Sequence, residues 1–378
     1  MTAHRDLFDL PRDICWLNAA YLGPLPNRTT EIGLAAVKRK AHPWTITPVD
    51  FHTEVDEVKA LYGRLIGAKP QEIAIIPSTS YGVATIAANI PLPAGKTVVV
   101  PAQEHTSAYH AWVRSARKSG AHVRVTARGA NQSWGQAILD AIDANTAVVS
   151  VPACHWSDGR QFDLAAIAEK TRAVGAILVI DGTQSIGAWD FDVAAIDPDF
   201  VICSCYKWLL GPYTLAFMYA APRWHGMEPL ELSPFNRAGV RESEGVLEPL
   251  EELMPDAARF DMGERSNFIT LPMMIASLEL LLEIGVPTIQ ANSDRLNQRI
   301  AEGAARLGYH APADRAPHLM GLRKPGGVGH AQNAALKQRG IHVSVRGDAY
   351  RISPHIYNDD SDVERLLAGL AALSAQAA

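Results

Sequence analysis

The sequence predicts an α/β fold. A large domain holds a mainly parallel, seven-stranded sheet flanked by helices, and a smaller α+β domain follows it. Three observations predict this. First, short apolar runs without alternation recur at 73–76, 97–100, 122–125, 147–151, 177–180, 200–203 and 214–219, as expected of strands buried on both faces. Second, most of the intervening segments have helical length and pattern (81–89, 106–119, 134–142 and 162–174). Strand and helix therefore alternate, which makes parallel pairing with right-handed crossovers the expectation. Third, the alternation stops after Ala220 and a mixed pattern begins. The expected division is 15–262 for the large domain and 263–378 for the small one, with residues 1–14 packing on the small domain.

Taken in order, residues 15–26 (CWLNAAYLGPLP) read as a short extended piece stopped by a Gly-Pro-Leu-Pro turn. Asn27 is placed to cap a helix over 28–40, and Asp50 to cap another over 51–66. Val55, Val58, Leu61, Leu65 and Ile66 share one face of the second helix. The link between the runs at 200–203 and 214–219 is too short for a crossover, so the last strand is expected to be antiparallel. Residues 222–262 are rich in Glu and Pro and show no period, which suggests a long surface excursion near an interface or a site mouth. Helices are expected at 271–284 and 288–307, then a strand at 318–323, a Gly-rich turn and a helix at 331–339. Strands at 342–346 and 350–353 precede a last helix at 359–373, whose Ala-rich end, 371–378, is expected to fray.

Composition excludes several classes. Apolar residues are 48% and charged residues 20% of a 378-residue chain with net charge −5, an ordinary globular balance that argues against a nucleic-acid surface. The start, MTAHRDLFDLPRD, lacks the apolar core of a signal peptide. The apolar stretch 273–286 is too short to span a bilayer and carries Glu279 and Glu283. A cytoplasmic protein without membrane or nucleic-acid partners is expected. The four cysteines form no C-x-x-C pair, and no metal site is expected.

Ligands of open α/β sheets sit beyond the carboxyl ends of the strands. There the sequence places Ser78-Thr79-Ser80, either an anion site at a helix start or plain N-capping by Thr79 or Ser80. His105 follows the strand at 97–100 and suits a base, a ligand or a ring stacked on a planar cofactor. His155 and Trp156 follow the strand at 147–151 as a polar tip and an aromatic wall, or as a packed turn ending at Gly159. Asp181 ends its strand, with Gln184 three residues on; a carboxylate there holds a proton on a ring nitrogen or caps the following turn. Ser204, Tyr206 and Lys207 follow the run at 200–203, and Lys207 is either a solvated surface charge or, as its large apolar neighbours suggest, an amine whose pKa desolvation lowers, freeing it as a nucleophile. Arg346 and Arg351 flank a short link, as forks for a carboxylate or as surface ion pairs. A phosphate cup, a stacking ring, an acid and a lysine together describe pyridoxal phosphate chemistry.

These motifs resemble the class V aminotransferase superfamily of pyridoxal-phosphate enzymes of fold type I, which includes cysteine desulfurases, isopenicillin N epimerase-like proteins and kynureninases. The resemblance runs through WLNAAYLGPLP, STS, EH, HWSDG, DGTQSIG, SCYKWLLGP, RFDMGERSN and VSVRGDAYRISPHIYN. It implies that Lys207 carries the cofactor, Asp181 pairs with the pyridine nitrogen, Gln184 contacts the ring hydroxyl and His105 stacks on the ring. It gives the phosphate to Thr79, Ser80, Ser204 and Tyr206, the cofactor's side to His155 or Trp156, and the substrate carboxylate to Arg351, with Arg346 and Asn18 beside it. It further implies a homodimer with sites at the interface, the segment 263–267 reaching the partner's phosphate.

Three departures narrow the reaction. No cysteine follows Cys205, so the loop thiol of a desulfurase is missing and that activity is disfavoured. Tyr206 stands where desulfurases have histidine, as in kynureninase-like enzymes. Gly263-Glu264-Arg265 replaces a Gly-Thr pattern. The expected function is transformation of an amino acid through an external aldimine and Cα deprotonation. β-Lyase and aminotransferase rank equally and an epimerase follows, with a non-catalytic binding or scaffold protein as the alternative of another class.

Overall fold

The computed structural model describes residues 4–243 and 247–377. Residues 1–3 of the N-terminal segment, 244–246 of the excursion and Ala378 of the Ala-rich end lie outside the described residues. The seven expected strands form one sheet, in the order Ile73–Ile76, Ala216–Ala220, Phe200–Ser204, Ile177–Asp181, Thr146–Pro152, Thr97–Pro101, His122–Thr126. Neighbours pair in parallel except at Ala216–Ala220, which runs antiparallel to both strands beside it. Central strands such as Phe200–Ser204 are buried at every residue, which is why they read as unbroken apolar runs. His122–Thr126, at an edge, is the half-exposed one.

Helices cover both faces. Thr79–Asn89 and Thr106–Ser119 supply Val83, Ile86 and Trp112 to one apolar layer. Asp50–Ile66, Trp134–Ala141, Leu164–Ala173 and Thr270–Ile284 supply Val58, Ile138, Ile167 and Leu278 to the other. Among the described residues no single helix is long and apolar enough to cross a membrane; Thr270–Ile284 and Val286–Ala305 meet at a 75° bend. A third apolar cluster lies under the antiparallel sheet of Met320–Leu322, Ala349–Ile352 and Ser344–Arg346, packed by Val286–Ala305 and Asp360–Ala377. Arg5 lies against this region, 3.2 Å from Asp362 and donating to the carbonyls of Pro11 and Ile14.

Several local expectations change. Asn27 is the first helical residue rather than the cap, and its side chain donates to the carbonyl of Asp6. Asp50 lies inside its helix and accepts from the N–H of Thr47 while pairing with Arg39. Ser78, not Thr79 or Ser80, caps the third helix, accepting from Tyr81 N–H at 3.2 Å. The strand expected at 342–346 is two strands. Ile341–His342 pairs with Cys15–Trp16, and after Val343 the chain turns so that Ser344–Arg346 pairs with Ala349–Ile352. The last helix continues to Ala377, beyond the expected fray.

The 222–262 excursion has a structural destination. Ala257 and Phe260 are buried against the sheet, and the chain then runs beside the edge strand. Ile75 donates its N–H to Asp261 Oδ1 and accepts from Met262 N–H, both at 2.8 Å. The exposed sheet edge, otherwise a row of unpaired donors and acceptors, is closed by this return.

Candidate active site

The parallel strands deliver their carboxyl ends to one crevice. Asp181 ends its strand in register between Pro152 and Ile202. The turn after it is tied to the neighbouring strand: Thr183 donates its N–H to Asp181 Oδ1 at 2.9 Å, and its Oγ1 accepts from Ser204 N–H at 3.2 Å. Gln184 is held at both ends, its amide donating to the carbonyl of Ala20 and accepting from the Trp208 indole at 2.9 Å. Behind it His318 and His355 bracket Trp208, edge-on at 4.5 Å and stacked at 5.6 Å. Burial pushes both imidazoles down to about 4, so they are neutral packing groups.

Lys207 lies within a tight backbone passage. Leu210 takes a left-handed φ of 53°, and Gly23 donates its N–H to the carbonyl of Tyr206 at 3.0 Å. A Cβ on Gly23 would fall 2.1 Å from the carbonyl oxygen of Lys207, so only glycine fits there. Burial pushes the Lys207 amine down to about 8, opposed by Asp181 and reinforced by Arg351. Among the described residues Lys207 makes no ion pair; its Nζ lies 5.4 Å from the Tyr206 ring, which packs on Tyr213.

The opposite wall comes from the end of strand Thr97–Pro101. Gln103 is left-handed (φ 58°), and its carbonyl accepts from the Trp156 indole at 2.7 Å. His105 stands edge-on to Trp156 at 6.2 Å. Burial lowers the His105 pKa against the pull of Asp181. Burial raises Glu104 to about 8.

Thr79, His105, Trp156, Asp181, Gln184, Ser204, Tyr206 and Lys207 line one narrow cleft together with Glu104 and Thr183. It opens into a cavity of about 590 Å³ walled by Tyr21, Leu22, Tyr213, Arg346 and Arg351. Arg351 is buried, and its Nη1 donates to the carbonyl of Trp156 at 2.9 Å. Burial and the nearby Arg346 push its pKa down to about 9.

Three expected residues stand off the crevice. Asn18 is buried and turned away, accepting from the Ser344 hydroxyl at 2.7 Å. The Ser80 hydroxyl donates to Ser107 on the next helix. His155 lies beneath the wall, stacked on Trp134 at 4.9 Å, with Ser157 at one ring nitrogen and the carbonyl of Ala102 at the other. Burial lowers its pKa. Sequence reasoning missed Glu104 and Thr183 as lining residues, although each adjoins or nearly adjoins a residue it did select. It also missed Tyr21, Leu22 and Tyr213, which carry no signal beyond being apolar or aromatic in loops.

The cleft fits pyridoxal phosphate. It offers a desolvated amine, and a carboxylate whose one bond from the protein comes from Thr183 among the described residues. It also offers a helix start where Thr79 and Ser80 N–H have no acceptor within the described chain. The fold is that of a pyridoxal-phosphate enzyme of fold type I. The chain belongs to the class V aminotransferase family, whose model (Aminotransferase class-V) matches residues 33–366. It is 27% identical to the uncharacterized aminotransferase YcbU of Bacillus subtilis, over 82% of this chain and 81% of that one. It is 27% identical to the isopenicillin N epimerase of Streptomyces clavuligerus, over 95% of each chain. Other relatives are named as a probable cysteine desulfurase and a kynureninase. Among solved structures, a mutant of C-DES with glycine covalently linked to the PLP cofactor superposes with a TM-score of 0.87 at 18% identity, covering 98% of this chain and 99% of that one.

Proposed function

We propose that this enzyme takes the Cα proton from an amino acid and then eliminates a β-substituent or transfers the amino group. One observation carries the reading: Lys207 is a desolvated amine without an ion pair among the described residues, its pKa pushed down to about 8, in a cleft that also presents Asp181. Bound there, pyridoxal phosphate supplies an aldehyde for the substrate amine and a ring that accepts electrons.

The chain's own groups do the rest. Asp181 holds a proton at the ring nitrogen. Gln184 has one amide hydrogen beyond the bond to Ala20, which would be available to the ring hydroxyl of the bound cofactor. His105 would pack against the ring, and Thr79, Ser204 and Tyr206, which line the same cleft, would hold the phosphate beside the helix start. Arg351 fixes the substrate carboxylate and so orients the Cα–H bond. Lys207, free near neutral pH, takes that proton as general base.

A desulfurase reaction is disfavoured, although one relative is named a probable cysteine desulfurase. All four cysteines are buried, none lines the crevice, and burial pushes their thiols up. The test is an amino-acid panel offered to the holoenzyme. Pyruvate with ammonia marks a lyase and a lasting pyridoxamine spectrum marks an aminotransferase. Racemisation with solvent deuterium uptake, and neither of these, would replace the reading with an epimerase. No spectral change with any amino acid would leave a binding protein.

We also propose a homodimer with sites at the interface and a cytoplasmic setting. Tyr213 at the cavity mouth is 66% exposed, and Trp44, Val49 and Leu232 expose still more apolar surface. Arg265 is bound to Asp261 within its own chain, so the partner's phosphate would have to meet other atoms of the segment 263–267. Sedimentation at micromolar concentration decides; a monomer that keeps full activity contradicts the dimer.

A further inference from the structure

We propose that the substrate carries a second anionic group on its side chain, a carboxylate or sulfinate, and that Arg346 holds it; this rests on the reading of the site as an amino-acid site. In the antiparallel pair, Arg346 faces Ala349 and Ser344 faces Arg351. Alternation along each strand puts both arginines on the same side of this ribbon, as diagonal neighbours roughly 7–8 Å apart at the backbone. Both side chains line the same cavity.

Trp156 positions the two guanidinium groups differently. Its carbonyl takes Arg351 Nη1 at 2.9 Å, and its ring lies under the Arg346 guanidinium at 5.7 Å. Arg346 Nη1 donates to the carbonyl of Val345 at 2.8 Å. Each arginine keeps a buried Nε without any partner among the described residues. Neither has a carboxylate within ion-pair distance among the described residues, and Asp348, two residues after Arg346, pairs with Arg323 at 2.8 Å.

The cavity is therefore walled by Lys207, Arg346 and Arg351 with no acidic residue among its lining. With the α-carboxylate assigned to Arg351, which the Trp156 carbonyl holds at 2.9 Å, Arg346 is left for a second anion. Arg346 remains a half-buried fork on the cavity wall, its Nε buried and without a partner among the described residues, and so is free to take that anion. A planar anion accepts two N–H bonds from such a fork. The cofactor's phosphate is not that anion, since Thr79 and Ser204 line the narrow cleft and Arg346 does not.

Binding is measured by calorimetry with succinate and glutarate against their monoamides, which need no Schiff base, and by the visible spectrum with L-aspartate and L-glutamate against L-asparagine and L-glutamine. The diacids are expected to bind about ten- to a hundredfold tighter than the amides, the range of one charge-assisted pair. Arg346→Gln is expected to collapse that ratio to about twofold, and Arg346→Lys to restore part of it, while Arg351→Gln weakens diacids and amides alike. Equal binding of diacid and amide by the native protein overturns the proposal, as does an Arg346→Gln variant that weakens both equally. If the protein binds no pyridoxal phosphate, the reading of the site fails, and calorimetry on the cofactor-free protein still decides the arginine question.

Discussion

Two places in this molecule bury a lysine near an aspartate, and they are built in opposite ways. At the sheet edge, Lys59 Nζ lies 2.8 Å from Asp261 Oδ2, and Arg265 Nη1 reaches the same oxygen at 2.6 Å. Asp261 Oδ1 takes the N–H of Ile75, and Arg265 Nη2 meets His52 Nδ1 at 3.3 Å. Both cations there share a carboxylate supplied by the chain itself, and the cluster fastens the long excursion to the edge strand. In the crevice, Asp181 and Lys207 make no ion pair among the described residues, and Asp181 takes a single bond from Thr183. The same residue types make a rivet when closed by the chain and a reactive site when left open. The open pair waits for groups that come from outside.

That contrast can be broken by substitution. Asp261→Ala strands two buried cations, so it is expected to destabilise the protein by about 3–5 kcal/mol in urea unfolding. Lys207→Met removes a desolvated charge and leaves no partner stranded; its stability is expected within about 1 kcal/mol of the native protein while covalent cofactor attachment is lost. Equal destabilisation by the two changes would show that Lys207 is also structural.

The next effect concerns the packing behind the open pair. His318 and His355 have folded pKa values near 4, below the ordinary 6.5. The unfolded chain thus binds protons that the folded one refuses between these values. Stability is lost as pH falls from about 6.5 to 4, by about 3 kcal/mol for each histidine. His318→Gln is expected to flatten that slope in a pH series of unfolding curves; an unchanged slope would contradict it.

The smallest effect is on Lys207 itself. In the cofactor-free protein, labelling of this amine by an amine-directed reagent should rise with a midpoint near pH 8. Because Asp181 raises the value and Arg351 lowers it, Asp181→Asn should move the midpoint down and Arg351→Gln should move it up. A midpoint near that of an exposed lysine in all three proteins would mean that the crevice does not tune the amine.

How much of this was legible follows from the same geometry. Strands buried on both faces write contiguous apolar runs, and whatever follows a run lies at the carboxyl edge of the sheet. Asp181, Ser204, Lys207 and His105 could be found that way. The rule locates a backbone and does not aim a side chain. Asn18, Ser80 and His155 occupy the right neighbourhood, yet turn to Ser344, Ser107 and Trp134. The rivet was invisible because Lys59 and Asp261 lie far apart in a chain whose 222–262 stretch has no period. The split at Val343 was equally hidden: one apolar run served two different partner strands.

The most direct test distinguishes the two lysines. The protein is incubated with pyridoxal phosphate, reduced with borohydride, digested and mapped by mass spectrometry. One pyridoxyl-lysine at Lys207 is predicted, with Lys59 unlabelled. A label on Lys59, or labels spread over surface lysines at the expense of Lys207, would contradict the account.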